Sequence, residues 1–342
     1  MSGGVDSSVA AALMLEKGYE CIGVTLRLFN RESSCCSPQD ADDAKDAAFR
    51  LNIPHYILDF TKDFKVRVID HFIETYGRGA TPNPCITCNR HIKFNLQALR
   101  AQLPDFNCFV TGHYARIEKD PASGRFLLLK AIDPNKDQSY VLYSLTQEQL
   151  GQVHFPLGGL SKTEVRSIAK QKNMVNAAKA ESQDICFVPN GDYAGFIESY
   201  TGRTWPPGDI MDTDGNKLGR HRGIIRYTIG QRRGLGIAAN VPVYVAAKSA
   251  EKNTVILGPD SSLYSKSLSA KEINLIACQT LEKPMKVMVK TRYLQQEQSA
   301  LAEQTDDDTL HIEFEKPQRA ITPGQAAVLY DGDIVVGGGT IC

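Results

Sequence analysis

The feature that most limits the fold of this chain is an alternation of helix-like and strand-like segments through its first half. Apolar periodicity and capping signals predict helices over residues 7–17, 38–52, 63–76, 92–103 and 161–173. Strands are predicted over residues 19–29, 55–60 and 106–113. Because parallel strands are joined by crossover helices, this order predicts an α/β fold with a doubly wound parallel sheet.

The composition changes after about residue 200, where glycine and proline become frequent and short β-rich runs replace the alternation. Strands are predicted over residues 241–247, 254–257, 286–293, 309–314 and 326–330. Asp-Gly pairs at 214–215 and 331–332 predict tight turns between strands. We therefore predict three domains: an α/β domain over residues 1–199, a small β-rich domain over 200–264 and a β-barrel over 265–342.

The charge and the cysteine content of the chain limit the cellular compartments and the classes of binding partner that can be expected for it. Lys plus Arg and Asp plus Glu each number 39, so a nucleic-acid partner would need a local basic surface rather than an overall positive charge. Nine cysteines, an odd number in a chain of 342 residues, argue against a disulfide framework and for a reducing cytoplasm. No apolar run approaches the ~20 residues of a membrane helix, and no signal peptide is recognised. We expect a cytoplasmic protein without a membrane partner.

Residues 2–8 (SGGVDSS) form a glycine-rich loop that opens the first predicted helix. Glycines let backbone amides approach a phosphate closely, and a helix N-terminus adds partial positive charge. Ser7 and Ser8 add hydroxyl groups. The loop is not a Walker A motif, because no Gly-Lys-Ser/Thr follows. The alternative is an ordinary glycine turn capped by serine.

Cys85 and Cys88 lie in a polar segment over residues 79–94. A helix is predicted to begin near Asn89, which would place Cys88 at its N-terminus, with basic residues at positions 90, 91 and 93. A thiol in such a place is expected to have a lowered pKa and to act as a nucleophile. The alternatives are half of a zinc site, a redox pair and buried structural cysteines.

Three further cysteines are ambiguous from their surroundings alone. Cys186 follows a polar run and precedes an apolar one, and a buried structural role is favoured for it because free cysteine is among the most buried residue types. Cys35 and Cys36 are adjacent, and local packing is favoured for them.

A basic strip lies between residues 215 and 237. It contains no acidic residue and includes Lys217, Arg220, Arg222, Arg226, Arg232 and Arg233. Such a strip can neutralise backbone phosphates, so we predict that the central domain contacts RNA. The alternative is a solvated face of a β-hairpin.

Eight ordered motifs resemble those of the bacterial and organellar tRNA-specific 2-thiouridylase family (MnmA/TrmU). They lie at residues 2–8 (SGGVDSS), 81–94 (TPNPCITCNRHIKF), 111–114 (TGHY), 135–140 (NKDQSY), 182–187 (SQDICF), 227–236 (YTIGQRRGLG), 289–293 (VKTRY) and 322–325 (TPGQ). The first resembles the PP-loop of ATP pyrophosphatases, which attack ATP at the α-phosphate. The resemblance runs nearly end to end and implies a PP-loop fold (adenine nucleotide alpha hydrolase-like) followed by β-rich domains.

The resemblance also implies roles for residues at matching positions. Cys186 resembles the persulfide carrier, and Cys88 resembles the nucleophile that releases its sulfur through a transient disulfide. The implied ATP positions are Ser2, Gly3, Gly4, Val5, Asp6, Ser7, Ser8, Leu26 and Gly112, with Asp6 helping to hold Mg²⁺. The positions implied to face the target base are Asn83, Pro84 and Cys85. The positions implied to contact tRNA are His113, Lys136, Asp137, Gln138, Arg292, Tyr293 and Gln325.

The implied reaction is the ATP-dependent 2-thiolation of a tRNA uridine, which in this family is the wobble base U34. ATP adenylates the C2 oxygen of the base, and a sulfur nucleophile then displaces AMP. The implied partners are tRNA and a persulfide or sulfide donor, either a sulfur-relay protein or a cysteine desulfurase, and the protein is expected to be a monomer.

Two departures from the family pattern affect these expectations. The family usually has a hydrophobic strand before its PP-loop, whereas this sequence begins at Met1 and Ser2, so the sheet is expected to lack its first strand. Many members have aspartate where this chain has Cys85. With cysteine there, Cys85, Cys88 and Cys186 could instead bind three irons of a 4Fe-4S cluster.

Two other classes of function compete with tRNA thiolation. One is a PP-loop ligase that adenylates a small molecule, which would need neither paired cysteines nor a basic strip. The other is a non-catalytic RNA-binding protein that stores an iron–sulfur cluster or zinc. Release of pyrophosphate that depends on tRNA would separate all three.

Overall fold

The computed structural model describes residues 1–29, 38–103, 105–177, 179, 185–238 and 241–342. Cys35, Cys36 and residues 182–184 of the motif before Cys186 lie outside this part. The α-helices are α1 (Val5–Glu16), α2 (Pro38–Arg50), α3 (Thr61–Phe64), α4 (His71–Gly77), α5 (Pro84–Cys88), α6 (Leu96–Arg100), α7 (Ser139–Leu142), α8 (Gln147–Leu150), α9 (Lys162–Gln171) and α10 (Tyr193–Thr201).

The strands fall into an early group and a late group. The early strands are β1 (Gly23–Arg27), β2 (His55–Asp59), β3 (Phe109–Val110), β4 (Arg116–Lys119), β5 (Phe126–Leu129) and β6 (Val153–His154). The late strands are β7 (Gly208–Asp212), β8 (Lys217–His221), β9 (Tyr244–Ser249), β10 (Thr254–Gly258), β11 (Tyr264–Leu275), β12 (Met285–Lys290), β13 (Gln298–Asp306), β14 (Thr309–Arg319), β15 (Ala326–Asp331) and β16 (Ile334–Ile341).

The first part of the chain contains two parallel strand pairs flanked by helices. β1 pairs with β2, and β3 pairs with β6. Within the described residues these pairs form two separate two-stranded sheets. Beside β1, Thr25 Oγ1 donates to the Met1 carbonyl at 2.7 Å, and the Met1 amino group donates to the Val24 carbonyl. The parallel arrangement agrees with the α/β prediction.

Several predicted elements differ in extent from those in the structure. A π-helical stretch, Lys65–Asp70, links α3 to α4, so the helix predicted over 63–76 is continuous but not uniformly α-helical. The helix predicted over 92–103 is wrong as a single element. A π-helical turn, Asn89–Lys93, ends there, and α6 starts separately with Asn95 as its N-cap. Asn95 Oδ1 accepts from the Ala98 amide at 3.1 Å, which fixes this new start.

The middle of the chain forms a four-stranded sheet in the order β8-β7-β10-β9. β7 and β8 are antiparallel, and the predicted Asp-Gly turn joins them, with Gly215 at φ +87°. That φ is in the left-handed region that glycine adopts at little cost. The second predicted Asp-Gly turn joins β15 to β16, with Gly332 at φ +57°. Both turn predictions are confirmed.

The C-terminal part is a closed barrel of six strands in the order β11-β14-β13-β12-β15-β16. Pairing of β11 with β16 closes it. Its interior is filled by alternating apolar residues such as Leu310, Ile312 and Phe314 of β14, each at most 1% exposed. The hairpin β4–β5 continues the same sheet, because Leu129 pairs with Ile334 of β16. The first 199 residues therefore contribute strands to the sheet of the barrel.

Among the described residues, no helix is both long enough and apolar enough to cross a bilayer.

Candidate active site

The glycine-rich loop leads directly into α1, whose N-cap is Gly4. Gly3 adopts φ +69°, a conformation that a residue with a side chain would adopt only with strain. Ser7 Oγ and Ser8 Oγ both donate to the Gly4 carbonyl, at 3.1 and 3.2 Å. The loop is thus closed on itself by its own serines, and the first amides of α1 remain as donors for an anion.

Asp6, in the first turn of α1, is held from two directions. Lys162 Nζ donates to its two carboxylate oxygens at 2.7 and 2.9 Å, and the Tyr114 hydroxyl donates to Oδ1 at 2.8 Å. Lys162 is the first residue of α9, and Ser161 and Glu164 form the capping box of that helix. Lys162 therefore neutralises Asp6 in this structure, and a role of Asp6 in holding Mg²⁺ stays a prediction.

Gly112 lies against the backbone of the loop. A Cβ atom at Gly112 would lie 2.7 Å from the carbonyl carbon of Asp6 and 2.8 Å from the Ser7 nitrogen. Only glycine therefore permits this approach of the segment after β3 to the start of α1. Gly112 and the glycine-rich loop, both among the positions implied for ATP, thus come together. Leu26 lies in β1 and is half-buried.

Four residues that the sequence did not single out surround Gly3. Asn176 Nδ2 donates to the Gly3 carbonyl at 3.2 Å and to Ser8 Oγ at 2.9 Å. Lys179 Nζ lies 3.4 Å from the same carbonyl and is paired with Asp40 and Asp43 of α2. Asn176 is 3% exposed, and its Oδ1 has no hydrogen-bond partner in the described part of the chain. Proximity to the Cys186 motif was the only sequence signal for Asn176 and Lys179.

The segment with the paired cysteines is a short helix whose start the sequence analysis misplaced. α5 begins at Pro84, and Asn83 is its N-cap, with Oδ1 accepting from the amides of Cys85 and Ile86 at 3.2 and 3.4 Å. Cys85 is exposed in the first turn, whereas Cys88 is the last residue of α5 and is 6% exposed. The prediction that Cys88 opens a helix near Asn89 is therefore wrong. The Asn-Pro pair was the true start signal.

Cys186 lies in a turn between residue 185 and α10, and it is half-buried. Its neighbours Phe187 and Val188 are each 2% exposed. Cys88 is part of the hydrophobic cluster that contains Phe187, and Cys186 packs against that cluster. The two thiol positions of the sequence prediction thus contact the same hydrophobic cluster.

Within the described residues no group of three or more His, Cys, Asp or Glu side chains is arranged to hold a metal ion. Cys85, Cys88 and Cys186 all belong to the described part, so in this structure they do not form such a group. The cluster alternative and the zinc alternative therefore gain no support from the geometry of the thiols.

The barrel holds the segment that precedes the paired cysteines. Gln325 Nε2 donates to the carbonyls of Thr81 and Pro82 at 2.9 and 3.2 Å, and the Thr81 amide donates to the Pro323 carbonyl at 2.8 Å. At Gly324 (φ +88°) a Cβ would lie 2.9 Å from the Thr81 carbonyl oxygen. The TPGQ motif (residues 322–325), called the strap below, thus holds the segment that leads into α5.

Most of the other positions implied to contact tRNA make structural contacts. Gln138 Oε1 accepts from the Tyr114 amide at 2.9 Å, and Asp137 Oδ1 accepts from the Ala131 amide at 3.0 Å. Lys136 is half-buried beside them. These interactions shape the loop around residues 131–139 and make its backbone rigid.

His113 packs among aromatic rings and stays neutral at physiological pH. Its ring centroid lies 5.7 Å from that of Phe94 and 5.9 Å from that of Phe155. Burial, with a smaller contribution from Lys93, lowers the pKa of His113 to about 3. Its Nδ1 shares a hydrogen bond with Thr111 Oγ1 at 2.8 Å. The ring is therefore a neutral, oriented contact surface.

Arg292 and Tyr293 lie after β12 at the barrel. Arg292 Nη2 donates to the Arg319 carbonyl at 2.8 Å, while its buried Nε has no hydrogen-bond partner among the described residues. Burial, together with the nearby Arg319, lowers the pKa of Arg292. The Tyr293 ring packs 6.0 Å from Tyr140.

The basic strip of the middle domain is less uniform than the sequence suggested. Lys217 pairs with Asp209 at 2.7 Å, and Arg226 pairs with Glu198 at 2.5 Å. Both acids lie outside the window of residues 215–237, so the sequence window could not reveal them. Four exposed arginines remain along the strip, which are Arg220, Arg222, Arg232 and Arg233.

Sequence models of three protein families match consecutive parts of the chain. The descriptions are "tRNA methyl transferase HUP domain" for residues 1–190, "tRNA methyl transferase PRC-barrel domain" for 194–259 and "Aminomethyltransferase beta-barrel domain" for 265–341. The glycine-rich loop over residues 2–8 is called the phosphate loop from here on. Together with this loop and the closed barrel, these matches define a HUP-type protein followed by two β-domains. The fold class predicted from the sequence is confirmed.

Curated relatives match over the whole length of the chain. The tRNA-specific 2-thiouridylase MnmA of Acetivibrio thermocellus is 48% identical over 349 residues, covering 100% of this chain and 97% of the relative. The protein of the same name from Clostridioides difficile is 47% identical, with 100% and 96% covered. This chain belongs to the tRNA-specific 2-thiouridylase family.

Proposed function

We propose that this chain is a tRNA-uridine 2-sulfurtransferase that uses ATP. The observation that carries the proposal is that a chain with the glycine-rich loop at the start of α1 also has Cys88 within, and Cys186 packed against, the same hydrophobic cluster. Full-length similarity to relatives named 2-thiouridylases supports it. The family descriptions mention a methyl transferase, but the relatives' names and the thiols Cys88 and Cys186 favour sulfur transfer.

The first step of the proposed reaction is activation of the base. ATP binds at Ser2–Ser8, Leu26 and Gly112, and the C2 oxygen of the uridine attacks the α-phosphorus. A new O–P bond forms as the bond to pyrophosphate breaks. The amides at the start of α1 hold phosphate oxygens, and Mg²⁺ accompanies the nucleotide. The uridine, proposed to be the wobble base U34, thereby gains AMP as a leaving group.

The second step is sulfur transfer. Cys186 receives a sulfur atom as a persulfide from a donor of the sulfane-sulfur class, either a relay protein or a cysteine desulfurase. The Cys88 thiolate attacks the Cys186 sulfur, so that the persulfide bond breaks, hydrosulfide leaves and a Cys88–Cys186 disulfide forms. Hydrosulfide adds to C2 and displaces AMP, which carries the original oxygen away. A thiol reductant then restores both cysteines.

The tRNA is proposed to contact all three predicted domains. These are residues 1–199, 200–264 and 265–342. Asn83, Pro84 and Cys85 face the flipped base, because Cys85 is exposed in the first turn of α5. The exposed arginines of the strip neutralise phosphates, and the positions around 113, 136–138, 292–293 and 325 complete the surface. A cytoplasmic monomer with no membrane partner fits this assignment.

The test is an anaerobic thiolation assay resolved on a mercury-containing gel, with ATP, Mg²⁺, tRNA, a thiol reductant and a cysteine desulfurase with cysteine as the persulfide donor; free sulfide is left out because it could attack C2 without either cysteine. Cys88→Ser and Cys186→Ser are expected to lower thiolation by at least about 10³-fold, as loss of a covalent catalytic group does. Cys278→Ser, at another half-buried cysteine in the barrel region, is the matched control and is expected to retain activity.

Two other results would replace the proposal. Loss of activity in Cys85→Ser as well, in proportion to bound iron, would indicate that a cluster carries the sulfur. Pyrophosphate release that does not depend on tRNA would indicate a ligase that acts on a small molecule.

A further inference from the structure

Lys179 connects the phosphate loop to α2. Its Nζ donates to Asp40 Oδ1 at 2.6 Å and to Asp43 Oδ2 at 2.5 Å. The same atom lies 3.4 Å from the Gly3 carbonyl oxygen. The Lys179 side chain is 32% exposed, so a ligand on the loop can reach its ammonium group.

The three contacts of this ammonium group differ in strength. An ammonium group has three N–H donors, and charge-assisted bonds to carboxylates are short and strong. Asp40 and Asp43 accept two such bonds, whereas the contact with Gly3 is long and involves a neutral acceptor. Burial lowers the pKa of Lys179, but the hydrogen bonds that it donates to the two carboxylates outweigh this effect, and the net shift is upward. The group is therefore a fixed cation with one exchangeable donor.

An ATP bound at this loop would be stabilised by such a cation. The N-terminus of α1 supplies only about half a positive charge, which is small beside the charge of a triphosphate. Lys162, the other lysine that reaches the loop, is 9% exposed, and Asp6 accepts from it through both carboxylate oxygens. Lys179 is the more accessible of the two, and it lies on the Gly3 side of the loop rather than on the Gly112 side.

Building on the function proposed above, we propose that Lys179 binds the β- and γ-phosphates of ATP and remains with pyrophosphate as it leaves. In this role the third donor of the ammonium group exchanges the Gly3 carbonyl for a phosphate oxygen. Asp40 and Asp43 are positioning residues that orient Lys179 toward the loop. As the bond between the α-phosphorus and the bridging oxygen breaks, the lysine stabilises negative charge on the leaving group.

The competing explanation is that Lys179 only fastens α2 to the loop. The contact is close, because a Cβ at Gly3 would lie 2.2 Å from the Asp40 carbonyl oxygen. The double substitution Asp40→Asn with Asp43→Asn separates the two roles. It removes both ion pairs, as Lys179→Met does, but it leaves the cation beside the loop. A fastening role predicts equal damage from both changes, whereas a phosphate-binding role predicts much greater damage from the loss of the lysine than from the loss of the two carboxylates that orient it.

The experiment is isothermal titration calorimetry of the full chain with ATP, pyrophosphate and AMP in buffer with Mg²⁺. Lys179→Met is expected to weaken ATP and pyrophosphate binding about 10- to 100-fold, the range for one charge-assisted hydrogen bond. AMP affinity is expected to change less than about twofold, and Lys179→Arg is expected to recover most of the loss. The Asp40→Asn, Asp43→Asn variant is expected to lose less than about fivefold in ATP affinity.

Lys172→Met is the matched control. Lys172 is 30% exposed and pairs with Glu16 at 2.5 Å at the far end of α1, so it has the same kind of ion pair away from the loop. Equal weakening of ATP and AMP by Lys179→Met, or equal loss in the double asparagine variant, would overturn the assignment.

The same titrations separate this proposal from the function on which it rests. A parent chain that binds ATP but does not thiolate tRNA would contradict the proposed function and leave the Lys179 result standing. A parent that thiolates tRNA, with Lys179→Met unchanged in ATP affinity, would contradict only the role of Lys179. No binding of ATP by the parent would overturn both.

Discussion

The phosphate loop and the cysteine site belong to the same α/β region, but different forces hold them. Around the loop, Lys162 and Lys179 make ion pairs with aspartates from other elements. Around the cysteines, Cys88 is enclosed by an apolar cluster that contains Phe187. Ion pairs can exchange partners when a charged ligand arrives, whereas close-packed rings have a single arrangement. The difference suits a protein that binds and releases phosphates at the loop and holds Cys88 in an apolar cluster.

The largest effect on the free energy of unfolding is expected from a substitution in the apolar cluster that contains Cys88 and Phe187. Phe187 is 2% exposed and makes edge contacts with Phe64 and Phe72 at centroid distances of 5.6 and 5.2 Å. Phe187→Ala is expected to lower the free energy of unfolding by about 3–5 kcal/mol, because it leaves a cavity in the cluster. Urea denaturation followed by circular dichroism measures this. Phe49→Ala, at a ring that is 84% exposed, should change it by less than about 0.5 kcal/mol.

A smaller effect on the free energy of unfolding is expected from breaking an ion pair beside the phosphate loop. Asp6→Asn removes the carboxylate that neutralises Lys162, whose side chain is 11% exposed. We expect the free energy of unfolding to fall by about 2–3 kcal/mol, below the full cost of a buried pair because Asp6 itself is 31% exposed. Asp209→Asn removes an exposed pair with Lys217 and should cost less than about 1 kcal/mol in the same assay. Equal costs would show that the Asp6 pair behaves as a surface pair.

The smallest stability effect is expected at the strap from the barrel. Gln325→Ala removes two hydrogen bonds to the Thr81 and Pro82 carbonyls and should cost about 1–2 kcal/mol. Because the strap positions the cysteine segment and not the loop, the thiolation rate should fall while the dissociation constant for ATP stays the same. Single-turnover thiolation and calorimetry measure the two quantities. Gln102→Ala, at an exposed contact with the Ala98 carbonyl, is the control. A parallel loss of ATP affinity in Gln325→Ala would contradict the separation.

The sequence predicted the contiguous parts of the site better than the assembled parts. The loop over residues 2–8 was recognised because its glycines, serines and following helix are consecutive. Lys162 and Lys179 were missed because their partners lie more than a hundred positions away in the chain. No periodicity or spacing rule connects side chains at such separations. The same limit explains why the ion pairs of the basic strip were not predicted. The acids that pair with Lys217 and Arg226 are Asp209 and Glu198, which lie outside residues 215–237.

Errors of secondary structure had a local physical cause. The basic residues after Cys88 favour a helix start near Asn89. In the structure, the Asn83 cap and Pro84 start α5 five residues earlier. In the barrel, β11, β13 and β16 were not predicted. Their runs are rich in serine, glutamine or glycine, and their pairing in the barrel, rather than intrinsic β-propensity, makes them strands.

The strap also has a consequence for the order of events during synthesis. The loop, α5 and the Cys186 turn are all made before residue 200, but Gln325 emerges from the ribosome only with the last strands of the barrel. Gln325 is in turn tied to β16, since the Ile341 amide donates to its carbonyl at 2.8 Å. A nascent chain thus exposes its paired cysteines long before their support arrives. Translation itself postpones a fully positioned thiol pair until the barrel closes.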